Sequence, residues 1–349
     1  MKKKEHANPP RAPGVEDPNP TPGRSSAPAG SGSSVSVGVV GGTGYTGQEV
    51  LRLLATHPRV DVAFATSRSA AGERSPVPGL AFSEPELARC REVDVLFLCL
   101  PHGHGADWVE KVGPGPRIID LTTDHRPGSG REGEAVYGLA EFEREAVREA
   151  RLVANPGCYP TGVIFALRPL QEAGLIQEDR LTVVNAASGV TGAGRKARRD
   201  LLFAEVSGNY RAYGQGNRHR HLKEMRATLE PLSLLFQPHL LPVSRGILET
   251  ITVPVAAGTT PDMVRTAWNA RFGTDGAVQS VQDGLPELSQ VVHTDRLLLG
   301  VSEVDDVDPP VLTVVAALDN LGKGAAGQAV QNMNSMMDWN LNEGIRCER

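Results

Sequence analysis

The sequence predicts an α/β chain with two folded domains, a parallel sheet covered on both faces followed by a mixed-sheet domain. Three observations carry that prediction. The chain has 349 residues, enough for roughly two domains of about 150 residues, each with its own core. Apolar runs alternate with helical spacing through the first half, the pattern of strands that each need a crossover helix. A glycine-rich turn, Gly42-Thr43-Gly44-Tyr45-Thr46-Gly47, separates the first strand from the first helix.

Taken in order, residues 1–34 are crowded with Pro, Gly, Ser and charge. They cannot bury enough apolar surface to offset ordering entropy, so disorder is expected there, and the same composition fits a start site assigned too far upstream. Val35-Ser36-Val37-Gly38-Val39-Val40 then reads as a strand, and Val50, Leu51, Leu53 and Leu54 as the apolar face of a helix. Further strands are expected at 60–65, 93–100 and 118–121. After Asn155-Pro156-Gly157 the spacing predicts a helix over 163–173, stopped by Gly174, then strands near 181–186, 247–255 and 311–317. A last helix, about 325–341, is expected to pack back on the first domain. The expected boundaries are 35–157 for the first domain, completed by about 320–349, and 158–319 for the second.

Composition excludes several function classes. The net charge of −5 argues against nucleic acid or an anionic membrane as the main partner. Run 93–100 is interrupted by Asp94 and falls far short of the roughly 20 residues of a membrane span. Cys90, Cys99, Cys158 and Cys347 show no CxxC pairing, which fits a reducing compartment, the cytoplasm. His219 with His221 and His102 with His104 have no third ligand at metal-binding spacing, so no metal site is expected.

The glycine turn has the context that gives the G-x-G-x-x-G pattern meaning. Gly42 is read as the tight turn, Gly44 as the point of close approach to a pyrophosphate, and Gly47 as the helix contact, with Thr43, Tyr45 and Thr46 completing a dinucleotide loop. The second strand ends in Thr66-Ser67-Arg68 rather than an acidic residue, and Ser67 with Arg68 suits a 2′-phosphate, hence NADP(H). No tyrosine is followed four places on by lysine, which disfavours the chemistry that needs that pair. Cys158 opens the helix after Asn155-Pro156-Gly157, where free amides favour a thiolate nucleophile. Its base is sought in Asn217-Arg218-His219-Arg220-His221.

Leu100-Pro101-His102-Gly103, Tyr137-Gly138-Leu139, Asn155-Pro156-Gly157-Cys158-Tyr159-Pro160-Thr161, Ser188-Gly189-Val190-Thr191-Gly192-Ala193-Gly194-Arg195, His219-Arg220-His221, Ser244-Arg245-Gly246 and Asp319-Asn320-Leu321-Gly322-Lys323-Gly324 together resemble the N-acetyl-gamma-glutamyl-phosphate reductase family over residues 35 to the end. The resemblance implies a Rossmann NADP-binding domain and an α+β catalytic and oligomerisation domain of the semialdehyde and glyceraldehyde-3-phosphate dehydrogenase type. It implies Cys158 as nucleophile and His219 as acid/base, with His221 the alternative holder of that role. Arg126, Asn155, His221 and Arg245 are then substrate ligands, and Pro101, Ser188, Gly189 and Asn320 lie near the cofactor. The implied reaction is NADPH-dependent reduction of N-acetyl-gamma-glutamyl phosphate in arginine biosynthesis, by a homo-oligomer, tetramer or dimer, acting on a small acyl phosphate. Alternatives are aspartate-semialdehyde dehydrogenase, a carrier-linked aminoadipyl-phosphate reductase of lysine biosynthesis and, from another class, a non-catalytic NADP sensor. The run 203–214 favours the arginine-pathway enzymes, and Cys158 with His219 counts against a sensor. Ala140 and His125 depart from the family pattern, where proline and an aromatic are usual.

Overall fold

The computed structural model describes residues 34–274 and 276–348, so the expectation for the N-terminal stretch falls, apart from Ser34, outside the described residues. The first sheet is wholly parallel, as continuous apolar strands buried on both faces require. It comprises β1 (Val35–Val40), β2 (Val60–Thr66), β3 (Phe82–Ser83), β4 (Val95–Leu98), β5 (Arg117–Asp120), β6 (Val136–Tyr137) and β7 (Leu152–Ala154) in the order β3-β2-β1-β4-β5-β7-β6. The order reverses between β1 and β4, which opens a crevice at their carboxyl ends. Helices α1 (Tyr45–Leu54), α2 (Leu87–Arg91), α3 (Gly105–Val112) and α4 (Arg144–Glu149) lie between these strands in sequence.

Helix α5 (Cys158–Glu172) starts five residues before the expected 163. Pro160 and Gly162 mask its first turn in the sequence, yet Pro is tolerated there because first-turn amides have no intrahelical acceptor. The second sheet is mixed: β8 (Leu181–Ser188), β9 (Arg211–Ala212), β10 (Ser233–Leu240), β11 (Ile247–Pro254), β12 (Val278–Ser280), β13 (Leu297–Glu303) and β14 (Val311–Leu318), ordered β12-β13-β14-β11-β8-β10-β9. Between its strands come α6 (Phe203–Val206), α7 (Leu222–Leu229) and α8 (Pro261–Phe272). Leu170 of α5, Met225 of α7 and Trp268 of α8 share one core with Phe236, Ile251 and Val314 of the sheet.

Helix α9 (Gly327–Met336) follows a π turn over Gly322–Ala326 and ends earlier than the expected 341. The chain reverses at Asp338 (φ 53°), and Trp339 N–H returns to the Asn334 carbonyl at 2.8 Å. Ala329, Val330, Met333 and Met336 of α9 pack with Val37 and Val39 of β1 and Leu51 and Leu54 of α1, while Phe64, Leu96, Leu98 and Val112 form the core on the opposite face of that sheet.

Candidate active site

The glycine turn sits at the carboxyl end of β1, and it begins one residue earlier than the sequence reading placed it. Gly41 has φ +85°, and a Cβ there would stand 2.5 Å from the Cys99 carbonyl oxygen. Gly42 has no positive φ; it donates its N–H to Thr66 O at 2.9 Å and abuts the Phe82 ring. The working pattern is therefore Gly41-x-x-Gly44-x-x-Gly47. A Cβ on Gly47 would meet Gly41 O at 2.5 Å, so helix and strand touch there, whereas one on Gly44 would meet only Gly41 O at 3.8 Å. The open space over Gly44, beside the free first-turn amides of α1, fits a pyrophosphate. Thr43 Oγ1 and Ser67 Oγ are hydrogen-bonded at 3.1 Å, Arg68 is exposed beyond them, and Arg195 donates to Thr43 O at 2.8 Å. A hydroxyl and a free guanidinium at the end of β2 suit a phosphorylated ribose. Pro101 is exposed just past β4, following the Cys99 carbonyl that packs on Gly41.

Cys158 is the first residue of α5, capped by Gly157, and is partly buried. The π turn lies on it, for a Cβ on Gly324 would stand 2.9 Å from Cys158 Cβ. Burial pushes the thiol up to about 11, against the pull of Arg220 and Arg126 and the Tyr159 amide. The helix terminus therefore does not by itself yield a resting thiolate, because desolvation outweighs it. His219 lies edge-on to Tyr159 (5.5 Å), Tyr213 (5.7 Å) and His221 (4.8 Å). Its Nδ1 accepts from the His221 amide at 3.2 Å, a bond that leaves Nε2 to carry the proton of the neutral ring. Burial first and Arg220 second lower His219 to about 4, so it rests as a neutral base. His221 is more deeply buried, with Nε2 against Gly157 and Nδ1 without a partner among the described residues; burial and then Arg220 hold it well below its usual range.

The expected substrate ligands do not all converge on Cys158. Arg126 is buried, donating to Glu224 Oε1 at 3.2 Å and to Leu121 O at 2.9 Å. Glu224 Oε2 accepts from Gly157 N–H at 2.9 Å and from the Tyr137 hydroxyl at 3.0 Å, so one carboxylate braces the residue before Cys158. Asn155 is spent between Ala325 O (3.1 Å) and Asn332 Nδ2 (2.9 Å). Arg245 bridges Glu49 at 3.0 Å and Asp319 at 2.9 Å. Its carboxylate partners are thus internal. Ser188, Gly189 and Asn320 do come together: Asn320 Oδ1 accepts from Gly246 N–H at 2.8 Å, Nδ2 donates to Thr191 Oγ1 at 3.0 Å, and Ser188 Oγ donates to Gly189 O at 3.0 Å.

Residues 36–150 match the family described as the NAD binding domain of semialdehyde dehydrogenase, and 158–320 its dimerisation domain. The N-acetyl-gamma-glutamyl-phosphate reductase of Bordetella pertussis is 40% identical over 339 residues, covering 88% of this chain and 94% of that protein. That of Acidithiobacillus ferrooxidans is 38% identical over 340 residues, covering 89% and 98%. The chain belongs to the N-acetyl-gamma-glutamyl-phosphate reductase family.

Solved aspartate semialdehyde dehydrogenases share the reductase fold. The Vibrio cholerae enzyme complexed with ASA aligns at TM-score 0.71 and 19% identity, over 88% of this chain and 99% of that one. The Candida albicans enzyme with NADP aligns at 0.67 and 18%, over 88% and 99%. Gly41 and Glu224 are candidate site residues that sequence reasoning did not single out, and Arg195, the last residue of the 188–195 motif, reaches the glycine turn. Gly41 carried a readable signal, the glycine directly after β1. Glu224 carried none, since its partners lie far along the chain. Among the described residues no helix is long and apolar enough to cross a membrane.

Proposed function

We propose that this protein reduces N-acetyl-gamma-glutamyl phosphate to N-acetyl-L-glutamate 5-semialdehyde and phosphate with NADPH, through a thioester on Cys158. The observation that carries it is Cys158 at the head of α5, with a neutral His219 packed edge-on at 5.5 Å against the next residue, Tyr159, in a chain 40% identical to reductases of that name. Residues 35–157, with about 320–349, would hold the cofactor and 158–319 the substrate. Gly41, Gly44 and Gly47 would take the pyrophosphate, Ser67 and Arg68 the 2′-phosphate, and Pro101, Ser188, Gly189 and Asn320 would flank the nicotinamide.

His219 removes the Sγ proton and the sulfur attacks the acyl carbon; the carbon–oxygen bond breaks and the departing phosphate takes up that proton. The cofactor, when bound, supplies hydride to the acyl carbon. His219, half-buried and open to solvent protons, protonates the oxygen of the tetrahedral adduct, then takes that hydroxyl proton back and passes it to Sγ as the carbon–sulfur bond breaks, releasing aldehyde and thiol. The protein works as a cytoplasmic homo-oligomer, dimer or tetramer, consistent with the dimerisation-domain match. The test is phosphate-dependent NADP reduction with N-acetylglutamate semialdehyde and aspartate semialdehyde in parallel. Selective turnover of the first, lost in Cys158→Ser, is expected; preference for aspartate semialdehyde would overturn the substrate assignment.

A further inference from the structure

A cavity of about 440 Å³ lies between the 123–131 loop after β5 and the start of α7, lined by Arg126, Arg131, Arg220, Lys223, Asp124 and Glu224. Most of these charges have internal partners. Arg126 pairs with Glu224 and Arg131 with Glu134, both at 3.2 Å. Asp124 accepts the amides of Gly103, Gly105 and Ala106 at 2.7, 2.8 and 3.2 Å. Among the described residues no carboxylate or acceptor engages the Arg220 guanidinium or the Lys223 ammonium, and buried Arg126 Nε also lacks a partner. Two positive charges are left uncompensated in one concave site.

The inner wall of the cavity, Arg126 and Glu224, packs one residue from Cys158. Arg126 Nη1 and Glu224 Oε1 would each lie 3.0 Å from a Cβ on Gly157, the residue before Cys158. Arg220 exerts the strongest cationic pull on the Cys158 thiol, opposing its burial. In an acyl phosphate the leaving oxygen is bonded to the carbon that Sγ attacks, so the phosphoryl group must sit beside Sγ. The substrate's carboxylate is several bonds further away.

We propose that Arg220, in the turn before α7, and Lys223, in its first turn, form the subsite for the substrate's phosphoryl group, and for inorganic phosphate in the reverse reaction. Arg126, closed into its pair with Glu224, backs the cavity. As the Sγ–carbon bond forms and the carbon–oxygen bond breaks, the electron pair leaves with phosphate, whose charge the two cations neutralise, while His219 delivers the proton taken from Sγ. The inference rests on the acyl-phosphate reading of the site.

The test runs the reaction towards acyl phosphate, where phosphate and N-acetylglutamate semialdehyde are separate substrates with separate KM values. Arg220→Gln and Lys223→Gln should each raise KM for phosphate about tenfold or more and leave KM for the semialdehyde within about twofold, with Arg220→Lys partly restoring it. In a folding-independent arm, inorganic phosphate should slow alkylation of Cys158 in the wild-type protein. An unchanged phosphate KM, a rise confined to the semialdehyde KM, or no protection by phosphate would overturn the subsite. Absence of turnover in the wild type with either semialdehyde would instead overturn the acyl-phosphate reading, and the subsite with it.

Discussion

Cys158 and His219 rest as neutral thiol and neutral imidazole, because burial acts against charge on both. Alkylation of Cys158 by iodoacetamide, followed by peptide mapping, should therefore climb about tenfold per pH unit from pH 7 towards 10; a plateau below pH 8 would contradict the buried-thiol account. Glu249 is the other strained group. It lies fully buried on β11 with both oxygens unpartnered, and one of them fills the place a Cβ would take on Gly162. Burial holds its carboxyl well above the usual 4.5, so the folded state keeps a proton that the unfolded chain releases. Stability then falls as pH rises above that value, by up to about tenfold in the folding equilibrium per unit. Urea melts at pH 6 and pH 8 should show a smaller fall for Glu249→Gln than for the wild type; parallel falls would contradict this. Cys158 and His219 were legible because each lies in a short contiguous signature. Glu224 was not: its partners Gly157, Tyr137 and Arg126 are 67, 87 and 98 residues away. The ion pairs of Arg245 were hidden for the same reason, its carboxylate partners being 196 and 74 residues off.

Element by element, periodicity located β1, β2, β4, β5, β8, β11 and β14, and left out the two- and three-residue strands β3, β6, β7, β9 and β12 and the long strands β10 and β13. In β10, Pro238 argues against a strand beside the sheet's centre. The strand survives because the Pro238 carbonyl accepts from Tyr213, which puts the missing N–H on the side where β9 pairs only His239 and Leu240. The glycine turn divides fold from function. Gly47→Ala pushes a Cβ into Gly41 O and should lower the thermal midpoint, while Gly44→Ala, facing open space, should leave the midpoint unchanged and raise KM for NADP. Equal thermal shifts in the two variants would count against the assigned roles.

At the scale of the whole molecule, both sheets and their order of appearance could be read from the alternation of apolar runs. The contacts that join distant segments could not. Arg245 reaches from the start of β11 to Glu49 on α1 and to Asp319 after β14, and Arg346 joins the same Glu49 and Asp295. Removing Arg245 leaves Asp319 and part of Glu49 buried without a counter-charge, so Arg245→Ala should cost about 3 kcal/mol in denaturant melts; a loss below about 1 kcal/mol would show that the bridge is dispensable. The central claim is that the whole scaffold presents Cys158 for acyl transfer. Its most direct test is mass spectrometry of the protein mixed with N-acetyl-gamma-glutamyl phosphate in the absence of NADPH. The account predicts one N-acetylglutamyl adduct per chain, mapped to Cys158 and discharged on adding NADPH; an unmodified Cys158, or an adduct on another residue, would contradict it.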